Sequence, residues 1–298
     1  MTKNKILLLI LVSICLILTI WIYQTKLDFF IKWKIIPKGS MINHSQINIL
    51  KFEIKPHQFM KSSLLVGNKN IFIFLHGPQD FISQHIINTG NWEIKWINEM
   101  LLFAKGRTSM QLLDLGCNLG VYSLSMAAFG HKVIAVDANR NNTDRLVQSV
   151  IANGFQKNVN IVSNAISDVH KEFSMNSMES NIGGQNIVEK KNNSYFVKSI
   201  WMDELLPLVN KTMDTVIKID IQGSEIDSIK KASELFDKCK IIAILIEWIL
   251  IKTNKEIYIL ISFFMSRNYR PYSTFFSTVE LDISNIGAWP YDVVWRKI

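Results

Sequence analysis

The chain has 298 residues, of which 48% are hydrophobic and 19% charged, and its formal net charge is +8. This length suits one α/β domain of about 250 residues plus a short appendage, and the apolar content excludes intrinsic disorder. The sequence has no dense basic run with interleaved aromatic residues, so its positive charge does not predict nucleic-acid binding.

A long uncharged stretch lies near the N-terminus, at residues 6–23. As a helix it would extend about 27 Å, close to the thickness of a bilayer core. A cleaved signal peptide would require a small-x-small site, whereas the first alanine of the chain is Ala104. A lipidation site at Cys15 would require a small residue before it, and Ile14 is not small. An uncleaved signal anchor is therefore the favoured interpretation.

The anchor divides the chain into four predicted segments. These are a short tail at 1–5, a transmembrane anchor at 6–23, a basic and aromatic stem at 24–45, and one folded domain at 46–298. Lysines stand on both sides of the anchor, so the positive-inside rule alone does not fix its orientation.

Apolar patterning predicts the elements of the folded domain in order. A hairpin is expected at 64–75, and helical spacing of apolar residues follows at 80–104. Strand and helix patterns then alternate, which implies βαβ units around a parallel sheet. The predicted strands are 111–115, 132–137, 159–162, 215–220 and 241–247, with antiparallel terminal strands at 269–276 and 292–297. The predicted helices are 120–129, 141–153, 225–236 and 255–267.

The alternation is interrupted at 168–194, where serine, asparagine and glycine accumulate. This composition predicts a loop or a β excursion over the site. Loops in such positions often select the substrate.

Two turns rich in glycine and carboxylate residues follow predicted strands about a hundred residues apart. The first reads D-L-G-C-N-L-G at 114–120, and the second reads K-I-D-I-Q-G-S-E at 218–225. Ligands of open α/β sheets bind just outside the carboxyl ends of the strands. Both turns therefore predict one active site along one edge of the sheet.

The glycine spacing helps to identify the ligand. A dinucleotide-binding loop needs G-x-G-x-x-G, but Asn118 stands where the middle glycine would be. Its side chain would hinder close approach of a pyrophosphate, so the loop favours a ligand without phosphates, such as S-adenosylmethionine. Asp137, at the end of the next predicted strand, can accept hydrogen bonds from both hydroxyls of an adenosine ribose.

Four motifs in order resemble those of the FkbM-type methyltransferases, a branch of the class I S-adenosylmethionine-dependent methyltransferases. They are Asp80 with Ile82-Ser83, then Gly90-Asn91-Trp92-Glu93, then Asp114, Gly116, Asn118 and Gly120, then Lys218-Ile219-Asp220 with Gly223 and Glu225. The resemblance covers residues 80 to about 233 and implies a doubly wound, Rossmann-like sheet. It also implies methyl transfer, in most members to a hydroxyl oxygen. The family often has glutamate where this chain has Gln222, which weakens any assignment of that position as a base.

Asp220 is the preferred catalytic residue, because an alcohol needs a base or a charged neighbour at neutral pH. A helix N-cap is its structural alternative. Lys218 lies on the same face of the strand as Asp220. It either orients that carboxyl or lowers its pKa, or it forms a plain salt bridge with it. Glu225 opens the next helix, where site and structural roles are equally plausible. Glu247 interrupts an apolar strand near its carboxyl end and is a further possible member of the site rim.

The remaining predicted site residues would bind the cofactor. The backbone of the glycine loop and the acid on the ribose follow from the motif, and the resemblance places Glu93 at the methionine amino group and the residues after the third strand at adenine. The full set is Glu93, Asp114, Gly116, Asn118, Gly120, Asp137, Asn164 and Asp168. The six histidines and three cysteines show no metal-ligand spacing, so no metal site is predicted.

Together these patterns predict an S-adenosylmethionine-dependent O-methyltransferase whose acceptor is a hydroxyl on a glycan, glycolipid or small molecule. The short N-terminus and the resemblance favour a single-pass membrane protein with a lumenal or extracytoplasmic domain. Two alternatives stay open on the residues alone: a nucleotide-dependent oxidoreductase, and a catalytically silent binding module that kept the fold.

Overall fold

The structure, a computed structural model, describes residues 47–53, 59–107, 109–175, 185, 187–189 and 196–298. Residues Ser45–Ile298 belong to one compact unit. The predicted tail, anchor and stem at 1–45 lie outside the described residues. Within the described part of the chain, no helix has the length and apolarity needed to cross a membrane.

The strands of the domain form one large sheet and two small ones. In chain order they are β1 Met60–Val66, β2 Lys69–Leu75, β3 Gln111–Leu115, β4 Lys132–Val136, β5 Val159–Val162, β6 Ala165–Ile166, β7 Glu172–Met175, β8 Ile187–Glu189, β9 Phe196–Ile200, β10 Thr215–Ile219, β11 Ile241–Glu247, β12 Tyr269–Tyr272 and β13 Asp292–Lys297. The large sheet has the order β12-β13-β11-β10-β3-β4-β5, in which β13 runs antiparallel to both neighbours. The α/β architecture and the antiparallel terminal pairing are confirmed.

The helices occupy the predicted connections, with two differences. In chain order they are α1 Phe81–Thr89, α2 Ile94–Ala104, α3 Val121–Ala128, α4 Arg140–Asn153, α5 Glu225–Lys230, α6 Ser233–Lys238 and α7 Ile257–Met265. The single helix predicted at 80–104 is two helices, because Gly90 and Glu93 adopt left-handed backbone angles between them. The helix predicted at 225–236 is also interrupted, since Lys231 leaves the helical region with φ −127° and ψ 50°.

Two smaller sheets flank the large one. The hairpin of β1 and β2 is confirmed, with antiparallel register from Met60↔Leu75 to Val66↔Lys69. The sheet β6-β9-β7-β8 contains two short strands within 168–194, where a loop or β excursion was expected.

Side chains that alternate along the central strands supply two separate hydrophobic cores. On β3, Leu112 packs in one core with Leu124 of α3 and Leu146 of α4. The next residue, Leu113, packs in the other core with Leu260 of α7. Helices therefore cover both faces of the sheet, which explains why its strands are continuously apolar.

Candidate active site

A cavity of about 280 Å³ opens at the carboxyl ends of β3, β4, β10 and β11. This is the edge of the sheet where both glycine turns were expected. The register pairs Lys218 of β10 with Asp114 of β3, so the two turns begin at the same level. The sequence prediction that they share one edge is confirmed.

The two turns are packed directly against each other at Gly116. This residue has φ +80°, and a Cβ there would lie 1.7 Å from the backbone oxygen of Asp220. The backbone N–H of Asp220 in turn donates to the carbonyl of Leu115 at 3.0 Å. Glycine is therefore required at 116 both by its backbone angle and by the second turn.

An ion pair between Lys218 and Asp220 lies inside the cavity. Lys218 Nζ donates to Asp220 Oδ2 at 2.8 Å, and Gln222 Nε2 donates to Asp220 Oδ1 at 2.7 Å. Burial alone would lower the pKa of Lys218, but the carboxylates of Asp220 and Glu93 raise it above its usual value. Burial likewise opposes ionisation of Asp220, yet Lys218 and Gln222 hold its pKa below the usual value. Asp220 is therefore an ionised carboxylate whose orientation is fixed by two donors.

Glu93 and Tyr122 form the adjoining part of the wall. Glu93 has φ +49°, and its Oε2 accepts a 2.6 Å hydrogen bond from the hydroxyl of Tyr122. Lys218 Nζ lies 4.9 Å from the centre of the Tyr122 ring. Asp292 lines the same region, where burial and the charge of Glu93 raise its pKa to about 6. This corner thus concentrates negative charge around one lysine.

Glu247 lies at the end of β11, beside Asp220, and is buried. Gln222 Nε2 reaches its Oε2 at 3.2 Å, so one amide group contacts both carboxyls. Burial and the charge of Asp220 raise the pKa of Glu247 to about 8. The site-rim position considered for Glu247 from the sequence is the one that it occupies.

Asp137 lines the cavity but is largely engaged by the protein. Its Oδ2 accepts from the backbone N–H of Asn118 at 2.7 Å, and its Oδ1 accepts from the N–H of Asn139 at 2.7 Å and from Asn142 Nδ2 at 3.2 Å. Burial raises its pKa to about 6. A carboxylate has about four acceptor positions, so one remains for a ribose hydroxyl. The expectation that Asp137 accepts from both hydroxyls exceeds that capacity.

The polar groups that line the cavity fit S-adenosylmethionine, which carries ribose hydroxyls, an ammonium group and a sulfonium. Asn118 has φ +51°, lines the cavity, and its buried Oδ1 has no hydrogen-bond partner among the described residues. Such an atom is expected to bind a ligand or water, since buried polar atoms are rarely left unpaired. Glu93 and Asp292 would hold the ammonium group. Ala165 and Ile166 line the same cavity and would supply an apolar wall for the adenine.

The structure brings most of the predicted site residues together. Seven of them line the cavity: Glu93, Gly116, Asn118, Asp137, Asn164, Lys218 and Asp220. The side-chain amide of Asn164 also binds the protein's own backbone: it accepts from the N–H of Asn48 and donates to the carbonyl of Lys198.

Four predicted residues lie outside the cavity lining. The buried Glu225 closes the second turn, because its Oε1 accepts the backbone N–H groups of Ile221 and Gly223. Asp114 lies beneath the floor and accepts from Ser123 Oγ at 2.6 Å. A Cβ at Gly120 would lie 2.3 Å from Leu146. Asp168 faces Lys230 at 3.9 Å. None of these four residues lines the cavity, which corrects the placement expected from the sequence.

Sequence reasoning missed several polar residues of the site, among them two tyrosines and an aspartate. Tyr122, Tyr291 and Asp292 line the cavity, although no motif marked them. Tyr122 lies two residues after the glycine loop, on the first turn of α3, so its proximity was a usable signal. Tyr291 and Asp292 follow from the position of β13 beside β11, which the local sequence does not reveal. No group of three or more metal-ligating side chains occurs among the described residues.

A family model described as the methyltransferase FkbM domain matches residues 114–271, more than half of the chain. No curated protein matches this chain significantly. Among solved structures, an rRNA methylase from Streptococcus thermophilus is 11% identical with a TM-score of 0.38, covering 68% of this chain and 95% of that chain. A precorrin 8w decarboxylase from Methanobacterium thermoautotrophicum is 13% identical with a TM-score of 0.39, covering 75% and 100%. Similarities of this size carry no inference about activity.

The family match covers the segment that contains the glycine loop, the Lys218–Asp220 pair and the strands between them. S-adenosylmethionine is accordingly the cofactor, in agreement with the chemistry of the cavity lining. The chain belongs to the FkbM family of S-adenosylmethionine-dependent methyltransferases.

Proposed function

We propose that this methyltransferase modifies a hydroxyl oxygen of an uncharged acceptor, on a glycan, a glycolipid or a small molecule, with Asp220 contacting the reacting hydroxyl. The observation that carries the proposal is the oriented Asp220 carboxylate inside the cavity, held by Lys218 and Gln222. Lys218 and Gln222 each occupy one acceptor position on a different Asp220 oxygen. Further lone pairs remain for the acceptor hydroxyl.

The residues act by orienting the acceptor and accepting its proton. S-adenosylmethionine supplies an electrophilic methyl group, and its displacement requires the acceptor oxygen to be in line with the methyl carbon and the sulfur. Asp220 accepts a hydrogen bond from the hydroxyl, which directs an oxygen lone pair towards the methyl carbon. Lys218 prevents Asp220 from rotating away.

The charge of the cavity supports an uncharged acceptor. The described lining residues include one lysine and five carboxyl groups: Glu93, Asp137, Asp220, Glu247 and Asp292. A phosphate chain entering this site would meet like charge at short range, which costs binding free energy. The negative cavity contrasts with the net charge of +8 for the whole chain, and it argues against nucleic acid as the acceptor.

Acceptor selection is assigned to the region over the site. Met175, Gln185 and Ile187 lie within or beside β7 and β8 and line the cavity. Gln185 Oε1 accepts from Asn139 Nδ2 at 3.1 Å, which connects this region to the turn after β4. A mixed apolar and amide surface suits the ring of a sugar or another uncharged alcohol.

The same proposal includes attachment to a membrane through residues 6–23, with the domain lumenal or extracytoplasmic. Its support is the uncharged stretch of eighteen residues with lysines on both sides. Such attachment would hold the domain beside glycolipids and nascent glycans.

The test is methyl transfer from labelled S-adenosylmethionine to a panel of glycans, lipids, proteins and small alcohols, comparing wild type with Asp220→Asn. Asparagine keeps the shape but removes the charge, so we expect transfer to fall by about 100-fold or more while cofactor affinity is retained. Label found on nitrogen or carbon would refute O-methylation. An undiminished Asp220→Asn variant would remove Asp220 from the reaction, and cofactor binding without any transfer would favour a silent binding module.

A further inference from the structure

The carboxyl groups of Asp220 and Glu247 are neighbours, because Gln222 Nε2 lies 2.7 Å from Asp220 Oδ1 and 3.2 Å from Glu247 Oε2. They follow one another across the sheet, because Ile219 of β10 is in register with Ile246 of the adjacent parallel strand β11. Two ionised carboxylates have no donor between them, so a direct hydrogen bond between these two groups requires a proton. The pair therefore holds one shared proton when the bond is formed.

The surroundings of the pair favour such sharing. Gln222 donates to both carboxyls, and Lys218 compensates one negative charge at 2.8 Å from Asp220. Tyr291 lines the cavity with Glu247 and is 59% exposed, so the far side of the pair borders solvent. The titratable and charged groups that face the pair are Glu93, Asp114, Lys218, Glu225, Tyr291 and Asp292.

We propose that, within the reaction proposed above, Asp220 and Glu247 act as one base, in which the acceptor proton enters through Asp220 and comes to rest on Glu247. The acceptor O–H bond breaks and its proton joins the carboxyl pair. The new O–CH₃ bond forms as the S–CH₃ bond breaks, with its electron pair left on sulfur. The pair then releases the proton to water on the side of Tyr291.

This division of labour follows from the opposite environments of the two carboxyls. Asp220, with its pKa held below the usual value, is well oriented but alone is a weak base. Burial and the charge of Asp220 raise the pKa of Glu247 to about 8, close to a working pH. Because strongly interacting carboxyls titrate as a unit, the proton affinity belongs to the pair. The proton-free pair is then the reactive form, and the rate should rise with pH up to about 8.

Infrared titration tests the shared proton without any acceptor, with S-adenosylhomocysteine present. Wild type should show a protonated-carboxyl band that disappears with a midpoint near pH 8. Glu247→Gln should lose that band, and Asp220→Asn should lower its midpoint because the neighbouring charge is gone. Glu234→Gln, an exposed carboxyl on α6, is the matched control and should change neither. Retention in Glu247→Gln of the component with a midpoint near pH 8, or an unshifted midpoint in Asp220→Asn, would overturn the proposal.

The rate profile then tests the role in the reaction, using the acceptor that gives an O-methyl product in the panel. Glutamine can still donate a hydrogen bond to Asp220, so a purely positioning role for Glu247 would keep the wild-type rate and profile. We expect instead a loss of at least about tenfold at pH 8, and a rate independent of pH between 7 and 9. Unchanged affinity for S-adenosylhomocysteine would show that the variant is folded. An N-methyl or C-methyl product would refute the proposed function. A wild-type pH profile in Glu247→Gln, with an O-methyl product, would refute only the role of Glu247 proposed here.

Discussion

Replacing Gly116 by alanine tests whether the contact between the two turns positions the active site. An added Cβ would lie 1.7 Å from the backbone oxygen of Asp220, so the two atoms must separate by more than about 1 Å to reach even 3.0 Å. Neither atom belongs to a flexible side chain. The backbone of one turn must therefore move, and the carboxylate of Asp220 moves with it.

The expected destabilisation has two parts. Placing alanine in the left-handed region costs about 1–2 kcal/mol, and forcing extra volume into a tight contact costs about 1–3 kcal/mol. Gly154 isolates the first part, because its φ of +72° is similar to the +80° of Gly116 and nothing lies within 4 Å of its added Cβ. We expect Gly154→Ala to lose about 1–2 kcal/mol and Gly116→Ala about 2–5 kcal/mol.

Urea unfolding of both variants measures the free energies of unfolding, and calorimetry measures S-adenosylmethionine binding. Gly154→Ala should retain cofactor affinity, whereas Gly116→Ala should lose both affinity and methyl transfer. Equal losses of stability in the two variants, with cofactor binding intact in both, would refute the steric reasoning.

Two further predictions follow from contacts around the cavity. Tyr122→Phe removes the hydroxyl that fixes Glu93, a charge-assisted bond worth about 1.5–3 kcal/mol, so calorimetry should show cofactor binding weakened by about tenfold. Burial raises the pKa of Glu225 from 4.5 to about 7, so its folded form binds more protons than its unfolded form between those values, and this contribution to stability falls as pH rises. Glu225→Gln should therefore gain about 3 kcal/mol relative to wild type between pH 4.5 and 8, and urea unfolding showing a constant difference would contradict this.

The sequence predicted the sheet well because its signals are local. Strands β3, β5, β11 and β13 have the predicted bounds, since each is a short apolar run closed by a turn or charged residue. The two glycine turns could be assigned to one edge because parallel strands align their carboxyl ends. Helix interruptions were less predictable: Lys231 leaves the helix without any glycine or proline to mark the break.

Side-chain partners at the site could not be predicted, because they depend on packing between distant segments. Site and structural roles were equally plausible for Glu225, and its carboxylate accepts hydrogen bonds from the backbone of its own turn. Asp137 was expected to serve the ribose, but it also fixes the backbone of Asn118, a contact across 19 residues. Glu247 was only one possible rim residue, because sequence alone does not show which way a strand-end side chain points.

Backbone strain is concentrated where this site needs side chains. The described chain has four non-glycine residues in the left-handed region, and three of them, Glu93, Asn118 and Gln222, line the cavity. Glycine would adopt these angles at less cost, about 1–2 kcal/mol less per residue. It would also delete the acceptor for Tyr122, the unpaired Oδ1 of Asn118, and the amide that donates to Asp220 and Glu247. The left-handed angles at these positions are therefore best explained by the groups that their side chains bind. The favourable free energy of packing in the two hydrophobic cores offsets the cost of the strain.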